Sequence, residues 1–413
     1  MLSAYKFDRS LKLFFFVMKT FWTDVIRFNN ITSNCFESLS YKWYIYGLFL
    51  KNQTIKSEGN IMLFKFSNIL KMLLVMLTAG ALLTGCGDKN GKDGEGSKSG
   101  NSGSGSNADL VTKDSVGTKA SLVMKPQKGD VFRYKMKAIT NSKEKSPMTK
   151  DTEISSTQDI DYYFSEEVSE VASTGIITYK IIFDSINIVS SMESGDSSVS
   201  FTYNSNIKDS IYSKPDFIQY NSIMNEEFFA RVSPLGEVSE IYGLERVYEN
   251  MYKALGDTLD DAQKESLRTS FGKEAIQAVL QQQFQIFPEN AVYKDSSWTR
   301  SYDTQIMVFP VKNILSYKLI DLQNANKDNI VKIEADLAVE FTNKEVKDER
   351  MSYKVEEEKT GGKGTIEFNL SKGCLVSKQT GTNIDLSLKL SAGGQSVNTQ
   401  HKVETKLNIS LLQ

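Results

Sequence analysis

Three groups of residues in this 413-residue chain have the types and spacing that covalent chemistry uses. The first is Cys86, which closes Leu83-Thr84-Gly85-Cys86 at the end of an apolar run. A thiolate is a strong nucleophile, and the small residues at 84 and 85 leave both the sulfur and the Gly85–Cys86 peptide bond open to a processing enzyme. The second is a set of serine and lysine fragments, Ser142-Lys143-Glu144-Lys145, Ser185-Ile186-Asn187 and Lys359-Thr360-Gly361, in which a lysine would act as base toward a serine. The third is the run Glu356-Glu357-Glu358, which a hydrolase working through paired carboxylates would draw on. Metal chemistry has less to work with. His401 is the one histidine, so a Cys/His zinc site cannot be assembled around it and Cys374. Asp88-Lys89-Asn90-Gly91-Lys92-Asp93-Gly94 approaches a calcium loop but puts lysine at a ligand position and lacks the distal glutamate.

What stands before and after Cys86 decides its reading. Lys65 and Lys71 lead into Met72–Leu83, an apolar run of about a dozen residues, too short for the roughly 20 that span a bilayer but suited to an export leader. Leu83-Thr84-Gly85-Cys86 resembles the lipobox of bacterial lipoproteins. That resemblance implies a diacylglycerol on the Cys86 sulfur, cleavage between Gly85 and Cys86, and a fatty acyl chain such as palmitate on the new terminus. Two or more chains anchor a protein stably where one does not. After Cys86 come mostly Gly, Ser, Asn, Lys and acid, which cannot bury enough apolar surface to fold. The expected order is therefore a signal peptide at 62–85, a flexible tether at 86–114, and a folded remainder. Residues 1–61 are rich in aromatics without a helical or strand period, so translation is expected to begin at Met62; a membrane-associated segment around Leu11–Trp22 is the alternative.

In the remainder, period-two alternation dominates. Ile333, Ala335, Leu337, Val339 and Phe341 share one face; so do Ile384, Leu386, Leu388 and Leu390, and again Val403, Leu407, Ile409 and Leu411. One dry and one wet face mark antiparallel sheet, so the chain is read as mainly β. Between Leu244 and Phe287 the apolar spacing changes to three and four, giving two or three amphipathic helices that end at Pro288. This predicts an α+β chain with a first β-rich half at 115–242, a helical segment at 243–288 and a second β-rich half at 289–413. The halves look like diverged copies: 162–186 parallels 316–340, and 228–240 parallels 366–378, the latter pair each turning at a glycine, Gly236 or Gly373.

These elements weaken the catalytic readings. The serine and lysine fragments follow the order found in the serine enzymes that bind penicillins, but there the serine opens a buried helix. Here Ser142 falls in a polar stretch read as a loop, and Lys359-Thr360-Gly361, with the glycines of 360–364, is read as a turn. His401 shares strand parity with Val403 and Leu407 and is expected near the inward face. Cys374 is expected as a small strand residue beside Gly373. With a formal net charge of −2, no basic face for nucleic acid is expected. With Cys86 carrying lipid, Cys374 has no disulfide partner in the exported part.

At 125–138, 231–245, 287–303 and 364–381 the chain resembles a family of bacterial lipoproteins known only as a domain of unknown function. Such proteins combine a Gly-Asp strand start, a Pro-x-Gly hairpin, a Phe-Pro…Ser-Trp segment and a late strand-Gly-strand. Here the third reads Lys294-Asp295-Ser296-Ser297-Trp298, without the glycine expected before the acid. The resemblance transfers no chemistry; Trp298 is expected to anchor the core at the head of a strand. The expectation is an extracytoplasmic, non-enzymatic binding module held to a bacterial membrane by its lipid, taking an apolar ligand or an envelope partner, without cofactor or metal. The alternatives are a carboxylate-dependent envelope hydrolase and a structural spacer. For an apolar ligand, a curved sheet laid over the helices would resemble the half-barrel lipoprotein carriers of bacterial envelopes.

Overall fold

The computed structural model describes residues 110–147, 152–207, 217–256, 259–270, 273–284, 287–325, 328–347 and 351–412. Cys86, Gly85, the leader, most of the tether and residues 1–61 lie outside them. The first described residue, Leu110, is buried, and β1 (Val111–Lys113) occupies the end of the stretch read as tether.

The alternating segments form one antiparallel sheet. Its strands are β3 (Val131–Lys145), β4 (Ile154–Val171), β5 (Ile177–Ser194), β7 (Glu227–Val232), β8 (Val238–Tyr242), β10 (Ser297–Ile306), β11 (Phe309–Ala325), β12 (Asp328–Phe341), β14 (Met351–Asn369), β15 (Cys374–Ala392) and β16 (Gln395–Leu412). They run in the order β10-β11-β12-β14-β15-β16-β3-β4-β5-β7-β8, with β6 (Ser197–Asn204) on β5 and β13 (Glu345–Lys347) on β14, which makes thirteen strands. A small sheet joins β1, β2 (Thr118–Ala120) and β9 (Val292–Tyr293). The helical segment holds three helices, α2 (Glu245–Leu255), α3 (Asp261–Ser270) and α4 (Lys273–Gln283); a short α1 (Ile218–Ile223) precedes them. No helix among the described residues is long and apolar enough to cross a membrane.

The two halves are similar in register as well as in order: β3-β4-β5-β7-β8 repeats as β10-β11-β12-β14-β15. Each second strand carries a bulge near its end, between Val168 and Glu170 in β4 and between Leu319 and Asp321 in β11. Each bulge is clasped by the start of its half. Gly129 N–H donates to Val168 O (2.8 Å) and Val168 N–H to Asp130 O (2.8 Å); Asp295 N–H donates to Leu319 O (2.7 Å) and Leu319 N–H to Ser296 O (3.0 Å). Gly129 has φ +92° and Asp295 φ +68°. The acid thus fills the left-handed position that glycine holds in the first half, a substitution acids tolerate better than most residues. The halves meet edge to edge through β16 and β3.

Two stretches read as loop and turn are strand. Residues 139–145 continue β3, because β16 and β4 satisfy their backbone on both sides. Lys359 to Gly364 lie in the middle of β14, paired to β15. The glycines there serve close approach, since a Cβ on Gly364 would stand 2.6 Å from Thr380 Cγ2 and 2.9 Å from Gln379 O. Here β12 leaves β14: their pairing stops at Leu337 and Gly362.

The core takes inward residues from both halves and the helices. Val247 and Met251 of α2, Leu280 of α4, Phe284 and Phe287 are all buried in it. Phe284 packs on Tyr179 of β5 (5.2 Å) and Phe287 on Phe368 of β14 (4.8 Å), so the end of the helical segment touches both halves. Gln281 and Gln277 cover the edge strand β8: Val238 N–H donates to Gln281 Oε1 (2.8 Å), and Gln277 Nε2 donates to Val238 O (2.6 Å). An edge so occupied offers no template for another strand there.

Candidate functional site

The long strands separate two poles. At one, the Gly373 turn lies against the backbone of Lys125 and Pro126, and Ser121 N–H bonds to the carbonyl oxygen of Leu110, the first described residue. At the other, β3, β14, β15 and β16 end around a cleft of about 910 Å³. The run of β15 between them, from Cys374 to Lys389, covers about 50 Å at roughly 3.3 Å per residue.

Cross-strand register builds the cleft. Glu357 pairs with Ser387, Ser387 with Gln400, and Gln400 with Lys145, placing four side chains in one row across four strands. Lys389 and Asn398 form the neighbouring row. The bulge between Val355 and Glu357 adds Glu356 as an extra residue on the rim, where Lys354 Nζ holds its carboxylate at 3.0 Å. Bulges of this kind re-aim a side chain where pairing is interrupted. Lys145, Glu357 and Lys389 make no ion pair among the described residues. The lining is thus charged groups of both signs, amides and hydroxyls, with Leu388 and Pro147 among them. These groups can donate and accept hydrogen bonds and pair with charges of either sign.

The serine and lysine fragments are not brought together. Along the row Thr360–Ile384–Val403–Ser142, Ser142 stands three strands from Thr360, about 14 Å at about 4.8 Å per strand. Its Oγ instead shares a hydrogen bond with Ser156 Oγ at 2.8 Å. Lys143 is bound to Glu153 (2.8 Å), and Ser185 pairs with Tyr163 far along β4. His401 is half-buried on the inward side beside the cleft. Its Nε2 is 3.0 Å from Thr399 Oγ1, its Nδ1 is 4.0 Å from Glu144 Oε2, and burial lowers its pKa. Cys374 is buried as the first residue of β15, and burial pushes its thiol up to about 12. Trp298, second residue of β10, is half-buried and stacks on Tyr317 at 5.4 Å. Among the described residues no group of three or more His, Cys, Asp and Glu is placed to hold a metal.

Two buried ionisable groups went unnoticed in the sequence. Glu166 of β4 is 1% exposed and Lys378 of β15 is 2% exposed. Glu166 Oε2 accepts from Gln283 Nε2 (3.1 Å), and Lys378 Nζ donates to Gln282 O (2.8 Å). Burial raises the Glu166 carboxyl to about 8 and lowers the Lys378 ammonium to about 8. Parity was the available signal: Glu166 alternates with Phe164 and Val168, and Lys378 with Thr380, Thr382 and Ile384, all of them inward.

Residues 174–375 match DUF6263, a family of unknown function. The DUF6263 match runs from the β4–β5 turn through the helices to the start of β15, so it includes the helical segment and its contacts with both halves. No curated protein matches the chain. Among solved structures, one of lipid–protein interactions in lipovitellin is similar at 10% identity and TM-score 0.38, covering 70% of this chain and 26% of that one. The chain thus spans about a quarter of that lipovitellin. An outer-membrane channel from Pseudomonas putida F1 is similar at 8% identity and TM-score 0.18, over 70% of this chain and 97% of the channel. OpdQ from Pseudomonas aeruginosa follows at 7% and 0.17, over 69% and 100%. At such TM-scores none of these likenesses bears on function.

Proposed function

We propose that this protein is a membrane-anchored extracytoplasmic lipoprotein acting as a non-enzymatic binding module, which presents its polar cleft to a partner of the cell envelope. The observation carrying this reading is the position of the cleft at the pole opposite Leu110, where the chain arrives from Cys86. A lipid on Cys86 would hold the domain by one pole and leave the cleft at the other. The chemistry of the cleft favours a polar partner. The apolar stripes of the helices, which a sheltered ligand would need, pack against the sheet instead.

The test places a photo-crosslinking amino acid at Ser387, within the cleft row, or at Glu334, on the exposed face of β12, in living bacteria. A discrete adduct from position 387 alone, lost when Lys145 and Lys389 are both changed to glutamate, is the expected result. Identical adducts from both positions, or none from 387, would remove the cleft from the account.

A further inference from the structure

Glu166 and Gln283 are joined at one end only. Gln283 Nε2 donates to Glu166 Oε2 at 3.1 Å, while Glu166 Oε1 and Gln283 Oε1, both shut off from solvent, have no hydrogen-bond partner. Both orphaned atoms are acceptors if the carboxyl is ionised. Groups buried without a partner cost free energy and rarely persist in pairs. A proton on Glu166 Oε1 would make that atom a donor, the one kind of group that the Gln283 amide oxygen lacks. Among the described residues no cation is paired with the carboxyl: Lys378 Nζ is committed to Gln282 O, and no ion pair joins Lys378 to Glu166. The other titratable groups around the pair are Tyr134 of β3, beside Gln283 with its hydroxyl donating to Leu375 O (3.1 Å), Tyr179 of β5 and Cys374 of β15, with Asp130 farther off. Burial raises Tyr134, Tyr179 and Cys374, so all three are neutral at pH 7.

We propose that Glu166 is protonated at neutral pH and pairs with Gln283 through two hydrogen bonds, and that this proton clasps the C-terminal end of α4 to the sheet. The clasp is pH-sensitive. A carboxyl at about 8 when clasped and near 4.5 when released gives an opening equilibrium that rises about tenfold per pH unit between those values and levels off above them. Lys378, at the same helix end, works the other way. Its ammonium is at about 8 when buried and 10.5 when free, so opening declines again from pH 8 to 10.5.

Infrared spectroscopy of the full chain in detergent tests the proton directly, and hydrogen exchange at Gln283 and Phe284, corrected for intrinsic rates, tests the clasp. At pH 7 the spectrum should contain the carbonyl stretch of a buried protonated carboxyl, lost in Glu166→Gln. Exchange protection should fall about tenfold per pH unit from pH 5 to 8 in the wild type. In Glu166→Gln it should not change over that range, because two amides keep both hydrogen bonds at any pH. Lys378→Met should keep the carboxyl band and the fall below pH 8. Absence of the band at pH 7 in the wild type, or its survival in Glu166→Gln, would overturn the proposal. A pH response unchanged by Glu166→Gln would overturn the clasp.

Discussion

Stability should pass through a minimum near pH 8, an unusual place for one. Glu166 has a folded value of about 8 against 4.5 unfolded, so its stabilising contribution is complete below 4.5 and is lost as pH rises to 8. That interval corresponds to a loss of about 5 kcal/mol. Lys378 has a folded value of about 8 against 10.5, so the cost of its buried charge is fully present below 8 and is relieved as pH rises to 10.5, a recovery of about 3 kcal/mol. The two limbs meet at about pH 8, where the cost of ionising Glu166 is nearly complete and the relief from discharging Lys378 has only begun. Urea unfolding at pH 5 to 10.5, followed by tryptophan fluorescence and far-ultraviolet circular dichroism, measures the curve. Subtracting the Glu166→Gln curve isolates the falling limb, and subtracting that of Lys378→Met isolates the rising one. A stability maximum at pH 8, or difference curves flat in both windows, would refute the assignment of these groups to a dry interior.

Gly364→Ala should destabilise by about 1–3 kcal/mol, since the new Cβ would meet Thr380 Cγ2 at 2.6 Å and Gln379 O at 2.9 Å, and Thr380→Ser should recover part of that loss in thermal denaturation. Gln281→Leu strands Val238 N–H, Gly236 O and Phe284 O, all of which the amide now satisfies, and should cost about 2–4 kcal/mol in urea unfolding. Asp295→Gly should leave stability unchanged or raise it by up to about 1 kcal/mol, because residue 295 holds a left-handed backbone that glycine adopts freely. A clear loss there would mean that the ion pair with Lys318 at 3.1 Å matters more than the backbone.

Strands with clean alternation, such as β12, β15 and β16, were legible because each keeps one face dry, and the three-and-four spacing located α2 and the end of α4. The middle of β14 was not. Glu356 to Gly362 reads locally as a turn, yet those residues are held extended by β15 and, at Gly362, by β12 as well. Tertiary pairing overrides such a weak local preference. The tail of β3 was misread for the same reason, its partners lying in β16 at the far end of the sequence. The repeat was visible in outline, but the equivalence of Asp295 and Gly129 needed the backbone clasp. The cleft was invisible, because its row draws on residues 145, 357, 387 and 400, which only the register of four strands brings side by side. Glu166 and Lys378 could have been found by asking which charged residues share parity with a dry face.

The proposed anchorage through Cys86 can be read from the mass of the N-terminal peptide. Protein extracted from bacterial membranes after growth with labelled fatty acid should yield a terminal peptide that begins at Cys86 and carries diacylglycerol and an acyl chain. Cys86→Ser should lose the label and retain residues 62–85. An unlabelled protein, or a terminal peptide with Cys86 unmodified, would contradict the account.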